Sequence, residues 1–192
     1  VNPLIRECDI FLSHAYVDKA LVEIAGAELE ACGYNVFLDW REATLADRSK
    51  VNHKTAEILR KQISNSSSLF YAVSSNSPNS RWMPWELGYG DARTGRVFIF
   101  PLDDGAAEFA RGQEYLRLYP IADRKRLRAF LAANVPKAKN RFIGAGDNEM
   151  TAVVSDRISY KLSEALLDPV ASYHLYNQMA KAWLAMFGIG RS

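Results

Sequence analysis

Between residues 9 and 134 the chain alternates short, continuous apolar runs with longer stretches whose apolar positions recur every three or four residues. Runs of the first kind read as buried strands, and stretches of the second as amphipathic helices. "DIFLS" (9–13) is a run that ends at the polar loop "HAYVD". In "KALVEIAGAELEACG" the positions Leu21, Ile24, Ala25, Leu29 and Cys32 keep helical spacing, with Asp18 placed to cap the start and Gly33 to stop the end. "YNVFLDW" (34–40) reads as the second strand, and the mixed-charge "REATLADRSKVNH" after it as a long, mobile loop. "KTAEILRKQISNS" returns to helical spacing through Ile58, Leu59 and Ile63, and "SLFYAVS" (68–74) reads as a third strand.

A loop of turn formers, "SSNSPNS", then leads to a helix beginning near Trp82. Ser80 is placed to cap it, Pro84 is tolerated in its first turn, and Gly95 ends it. "RVFIFPL" (96–102) reads as the fourth strand, with Pro101 marking its end or an edge. A weaker fifth strand is expected at "EYLRLYP", ahead of the basic helix "DRKRLRAFLAAN". Strands alternating with helices at this spacing imply a parallel sheet covered by helices on both faces. In such a sheet ligands sit at the carboxyl ends of the strands, where the loops "HAYVD", "REATLADRSKVNH" and "SSNSPNSRW" converge.

Past Asn134 the pattern changes. "VPKAKNRFIGAGDNE" reads as a linker, and residues 150–190 as one or two helices broken near Asp168 and Pro169. The last helix carries Tyr173, Tyr176, Met179, Ala180, Trp183 and Phe187 on one stripe, either docked on its own domain or free for a partner or self-association. The boundaries expected are therefore 7–134 for the α/β domain and 135–192 for linker and helical extension.

Composition narrows the function classes. The 24 basic and 22 acidic side chains of the 192 residues give a net charge of +2, which recruits neither nucleic acid nor an anionic membrane. Cys8 and Cys32 fit a reducing cytoplasm better than a disulfide framework. No leader-like segment and no window of bilayer length are evident, so the expectation is a cytoplasmic protein. "SHAYVDK" has no glycine, which argues against a phosphate-binding loop and a dinucleotide fingerprint of the hydride-transfer kind. His14, His53 and His174 lack metal-ligand spacing, so no metal is expected, and no G-x-S-x-G elbow is present.

Glu86 remains, with Trp82 one helical turn before it and Trp85 adjacent. A glutamate on a helix is ordinarily solvated, and the tryptophans would then be core anchors. The other reading is chemical. Breaking a glycosidic bond builds an oxocarbenium-like cation that a carboxylate stabilises. Two carboxyl groups are normally required because the leaving oxygen must be protonated, but nicotinamide leaves as a neutral molecule and needs no acid. A single glutamate in an aromatic pocket therefore suits cleavage of NAD+.

The same residues carry a family resemblance. "CDIFLSHAYVDK" resembles the opening strand and loop of Toll/interleukin receptor (TIR) domains, bacterial ones especially. In "SRWMPWEL", Ser80, Trp82 and Glu86 match the S-x-W-x-x-x-E spacing of their helix motif. The likeness spans roughly residues 7–134. It implies a flavodoxin-like, three-layer αβα fold with a five-stranded parallel sheet, and NAD+ glycohydrolase or cyclase activity with Glu86 as the catalytic carboxylate. NAD+ would be the substrate, with no cofactor. A TIR domain with a short helical tail is similar to the signal-producing component of anti-phage systems such as Thoeris, in which a cyclic ADP-ribose isomer activates a separate effector. TIR–TIR self-association on activation is expected. The alternative is a scaffold that assembles with other TIR domains and performs no chemistry.

Ser13, His14, Tyr16, Asp39 and Trp40 are expected to line the cleft beside Ser80 and Trp82. Ser13 and His14 suit hydrogen bonds to ribose or phosphate, and Tyr16 or Trp40 stacking on a base. The bland alternatives are a turn cap for Ser13, solvent exposure for His14 and core packing for Trp40. Trp82 is either the wall that bends the dinucleotide or a buried anchor.

Overall fold

The structure, a computed structural model, describes residues 7–41 and 53–138. All of them lie in the first of the two compact units into which the chain divides, Val1–Ile143; the second, Gly144–Ser192, lies outside the described residues. The expected helical tail and its aromatic stripe fall there. Most of the loop "REATLADRSKVNH" is outside them too.

Strand β1 (Cys8–Ser13) is followed by α1 (Lys19–Ala31), β2 (Val36–Phe37), α2 (His53–Ser64), β3 (Ser66–Val73), α3 (Met83–Thr94) and β4 (Val97–Pro101). The short helices α4 (Ala106–Gly112) and α5 (Leu127–Asn134) complete the described unit. The strands form one parallel sheet in the order β2-β1-β3-β4. A right-handed crossover sends its helix to one face when the chain moves left and to the other when it moves right. The move from β1 to β2 thus separates α1 from α2 and α3.

Core composition follows from that separation. Val22, Ala25 and Leu29 of α1 pack with Leu127 and Leu131 of α5 against Ile10, Leu12, Phe70, Ala72, Phe98 and Phe100. Leu59 and Ile63 of α2 pack with Met83 and Leu87 of α3 against Phe11, Phe37, Leu69, Tyr71, Val73 and Ile99. Consecutive strand residues thus alternate between the two layers, as the pleat requires. The strands are buried on both sides, the usual state of a parallel sheet.

Several sequence expectations need correction. The second strand is Val36–Phe37 rather than 34–40, because the chain turns into a 3-10 helix at Asp39–Arg41 while Leu38 and Trp40 stay buried. The fifth strand is absent among the described residues, and the sheet has four. Residues Tyr115–Leu118 coil into a 3-10 turn, and only Ile121 pairs with the sheet, opposite Ile99. Ile99 donates to Pro120 O and accepts from Ala122 N. The next residue facing that edge is Pro101, which has no N–H, so the ladder cannot extend.

The helix punctuation agrees with the sequence at both ends of α3. Pro84 occupies the first turn, where an N–H would have had no partner, and Gly95 closes the helix at φ 58°. Gly90 has a different use: a Cβ there would collide with Leu69 Cδ1, so its absence lets α3 lie directly on β3. That close approach brings the first turn of α3 to the carboxyl end of β1.

Candidate active site

Ser13 is the last residue of β1 and pairs in register with Tyr71 of β3. Its side chain points to the α3 side, the same layer as Phe11, and donates from Oγ to Glu86 Oε2 at 2.6 Å. Glu86 is 2% exposed, and its other oxygen, Oε1, has no hydrogen-bond partner among the described residues. A buried acceptor left unsatisfied costs about 1–3 kcal/mol, more when charged, so such an atom in a folded protein calls for an explanation. Its position in the first turn of α3 helps, because the unpaired N–H groups there favour negative charge. Tyr71 lies beside this pair. Burial pushes its phenol up, and the Tyr115 hydroxyl and the Glu86 carboxylate push it further, so the ring stays neutral next to the carboxylate.

His14, the next residue along, faces the other layer. Its Nδ1 donates to Leu12 O at 2.8 Å, its Nε2 faces Asp39 Oδ1 at 3.2 Å, and its ring stands edge-on to Trp40 at 4.1 Å. Trp40 is buried in the α1-side core and donates from Nε1 to Glu23 Oε1 at 2.7 Å. Arg41 then bridges Glu23 and Glu30 at 2.9 and 2.6 Å. These contacts bind the segment after β2 to α1.

The structure therefore joins Ser13 to Glu86 and joins His14, Asp39 and Trp40 to one another, on opposite sides of the sheet. Ser80 Oγ accepts from Met83 N, the first residue of α3, at 3.3 Å, although the cap position itself falls to Trp82 and carries no side-chain capping bond. Trp82 is half-buried against the α3-side core and meets Trp85 edge-on at 5.2 Å, and Trp85 stacks on Tyr89 at 6.0 Å. Tyr16 is 49% exposed on the turn after β1. A surface cavity of about 380 Å³ lies elsewhere, beside α4, lined by Ala110, Arg111, Leu116, Arg117, Tyr119 and Ile121. Among the described residues no group of three His, Cys, Asp or Glu side chains is arranged to hold a metal ion, and no helix is long and apolar enough to cross a membrane.

Sequence reasoning missed Tyr71 and Asp18. Tyr71 sits inside an apolar run where nothing distinguishes it from a core ring. Asp18 occupies the expected cap position but makes no capping bond, its carboxylate being engaged by the loop after β3.

A parallel sheet in this order, with a buried glutamate at the end of β1, meets a matching family model. Residues 10–130 match the model described as TIR domain. The chain belongs to the TIR domain family. This TIR domain is also 47% identical over 113 residues to a Bacillus cereus (strain MSX-D12) protein named "Probable 3' cyclic ADP-D-ribose synthase ThsB'", with 58% of each chain covered. It is 26% identical over 99 residues to a Cytobacillus dafuensis protein named "Putative cyclic ADP-D-ribose synthase TIR2", covering 51% of this chain and 26% of the relative. The chain thus spans little more than half the length of the first of these relatives and about a quarter of the second.

Proposed function

We propose that this TIR domain cleaves the nicotinamide–ribose bond of NAD+ and forms cyclic or linear ADP-ribose, with Glu86 as the electrostatic stabiliser. The observation that carries the reading is the Glu86 carboxylate: buried, held through one oxygen by Ser13, and unpartnered at the other among the described residues. The relatives' names, which specify cyclic ADP-D-ribose synthesis, support it.

The chemistry asked of the site is simple. The C1′–N bond breaks heterolytically, the electron pair goes to the pyridinium nitrogen, and nicotinamide departs neutral. Positive charge then develops on the ribose, and a fixed carboxylate in a water-poor site stabilises it far more than water would. Ser13 fixes the rotamer of Glu86 and satisfies one oxygen, leaving the other for the cation. Capture by a hydroxyl of the same molecule, with loss of its proton, closes a ring; capture by water gives ADP-ribose and a proton. Which happens depends on how far the pocket excludes water and folds the dinucleotide.

In this reading the cyclic product is a signal in anti-phage defence, read by a separate effector, and TIR–TIR self-association accompanies activation. The test is to incubate the purified chain with NAD+, alone and with crowding agent or extract from infected cells, and to follow nicotinamide release by chromatography. Release that tracks the protein supports the enzyme. NAD+ left intact under all three conditions favours a scaffold that assembles without chemistry.

A further inference from the structure

The strand order reverses between β1 and β3, so the loops leaving these two strands part company there and open a crevice. One buried carboxylate joins them. Asp18, 3% exposed, closes the 3-10 turn Tyr16–Asp18 and stands at the start of α1. A residue in that position normally turns its side chain onto the N–H groups of its own helix, and Asp18 does not. Its Oδ1 accepts from Asn76 Nδ2 at 2.7 Å and its Oδ2 from Ser74 Oγ, both in the loop that follows β3. Both donors are neutral.

The loop is itself wound by hydrogen bonds that continue toward Glu86. Ser74 N donates to Ser77 Oγ at 2.8 Å, Asn76 N to Ser74 Oγ at 3.0 Å, and Ser80 N to Ser77 O at 3.1 Å. Met83 N then donates to Ser80 Oγ, and Glu86 N to Trp82 O at 2.9 Å in the first turn of α3. A continuous chain of bonds therefore runs from Asp18 to the backbone of Glu86. Burying a carboxylate against neutral donors is costly, whereas an amide or an apolar pair could close a loop without that cost.

We propose that Asp18 is a positioning residue for Glu86: by holding Ser74 and Asn76 it clamps the β3–α3 loop across the crevice and sets where the first turn of α3 presents its carboxylate. The proposal rests on the reading of Glu86 given above. Its action is indirect, since Asp18 makes no bond to Glu86 itself.

The test uses the full chain with Asp18→Asn and Asp18→Ala, each assayed well below its own melting temperature. Asparagine keeps the shape and one acceptor, whereas alanine leaves Ser74 and Asn76 without their partner. Turnover at saturating NAD+ is expected to fall in the order wild type, Asn, Ala, reaching roughly 10²-fold for Ala, the size of loss that a small misplacement of a reacting group produces. Amide hydrogen exchange over residues 74–82 is expected to accelerate in parallel. Asn76→Ala should weaken turnover too, and the double variant Asp18→Ala/Asn76→Ala should be no worse than Asp18→Ala alone. Wild-type turnover in a folded Asp18→Ala protein of lowered melting temperature would make Asp18 a loop brace and overturn the proposal, as would unchanged exchange over 74–82. Should alanine fail to fold, asparagine carries the same comparison. If the wild-type chain releases no nicotinamide, the catalytic reading fails by itself. The clamp is then judged on exchange: acceleration over residues 74–87 sustains it, and no change overturns it.

Discussion

Ser13 and His14 are adjacent in the chain, yet each ends at a buried carboxylate on a different side of the sheet. On the α3 side Ser13 gives Glu86 one hydrogen bond, and among the described residues the second oxygen receives none. On the α1 side His14 lies against Asp39 and against the edge of Trp40, whose Nε1 is bonded in turn to Glu23. The two carboxylates therefore differ in what surrounds them. A carboxylate facing an imidazole and packed beside an indole is a strut between strand ends. In the proposed reaction, a carboxylate with one oxygen unbonded among the described residues keeps that oxygen for the ribose cation.

The largest effect is expected at Glu86. Glu86→Gln keeps the shape and the Ser13 bond but removes the charge, and nicotinamide release should fall on the order of 10²-fold or more. Its melting temperature should stay close to that of the wild type. A Gln variant that turns over NAD+ normally would end the catalytic assignment.

Asp39→Ala should show the opposite pattern. Removing one partner of a buried pair costs about 3–5 kcal/mol, which urea titration would read as a lowered midpoint. Turnover of the protein that remains folded should stay within about tenfold of wild type, since positioning support is lost rather than transition-state charge. Normal stability with abolished turnover would instead put Asp39 and His14 against the substrate and dissolve the contrast between the two sides.

Smaller effects sharpen the α3 side. Trp82 stands one turn before Glu86 and is half-buried, so Trp82→Ala tests whether it shapes the substrate or only fills space. A wall residue predicts a several-fold lower ratio of cyclic to linear product with some nicotinamide release retained, read by chromatography. Equal loss of both products with a reduced melting temperature would assign Trp82 to the core. Smallest is Tyr16→Ala. Its ring is 49% exposed, so stability should hardly change. If it stacks on a base, the KM for NAD+ should rise about three- to tenfold, the worth of one aromatic contact. An unchanged KM would remove Tyr16 from the cleft.

Much of this architecture was legible before any coordinates. The apolar runs at 9–13, 68–74 and 96–102 locate three strands to within two residues, because parallel strands buried on both faces read as near-continuous apolar runs. Gly33, Gly95 and Pro84 mark helix ends by their backbone chemistry, and each does so in the structure. Those are local properties, decided by φ and missing N–H groups. Glu86 was singled out from its aromatic neighbours and its spacing from Ser80, also a local pattern.

Tertiary structure alone decided the rest, because the deciding partners are distant in sequence. "YNVFLDW" alternates well enough for a strand of seven residues, but beyond the bonds of Asn35 to β1 just Val36 and Phe37 pair in register before the chain turns into the 3-10 helix. "EYLRLYP" has a strand-like pattern too, yet the β4 edge offers a single position, at Ile99, before Pro101 removes the next donor. Asp18 looks like a cap until the strand order brings Ser74 and Asn76 to its carboxylate, across 56 and 58 residues. Ser13 and Glu86 are 73 residues apart, and nothing local to either says they will meet. Sequence periodicity determines which residues are buried and in what kind of element; which buried polar atoms find partners depends on how the strands are ordered and how closely a helix such as α3 can approach the sheet.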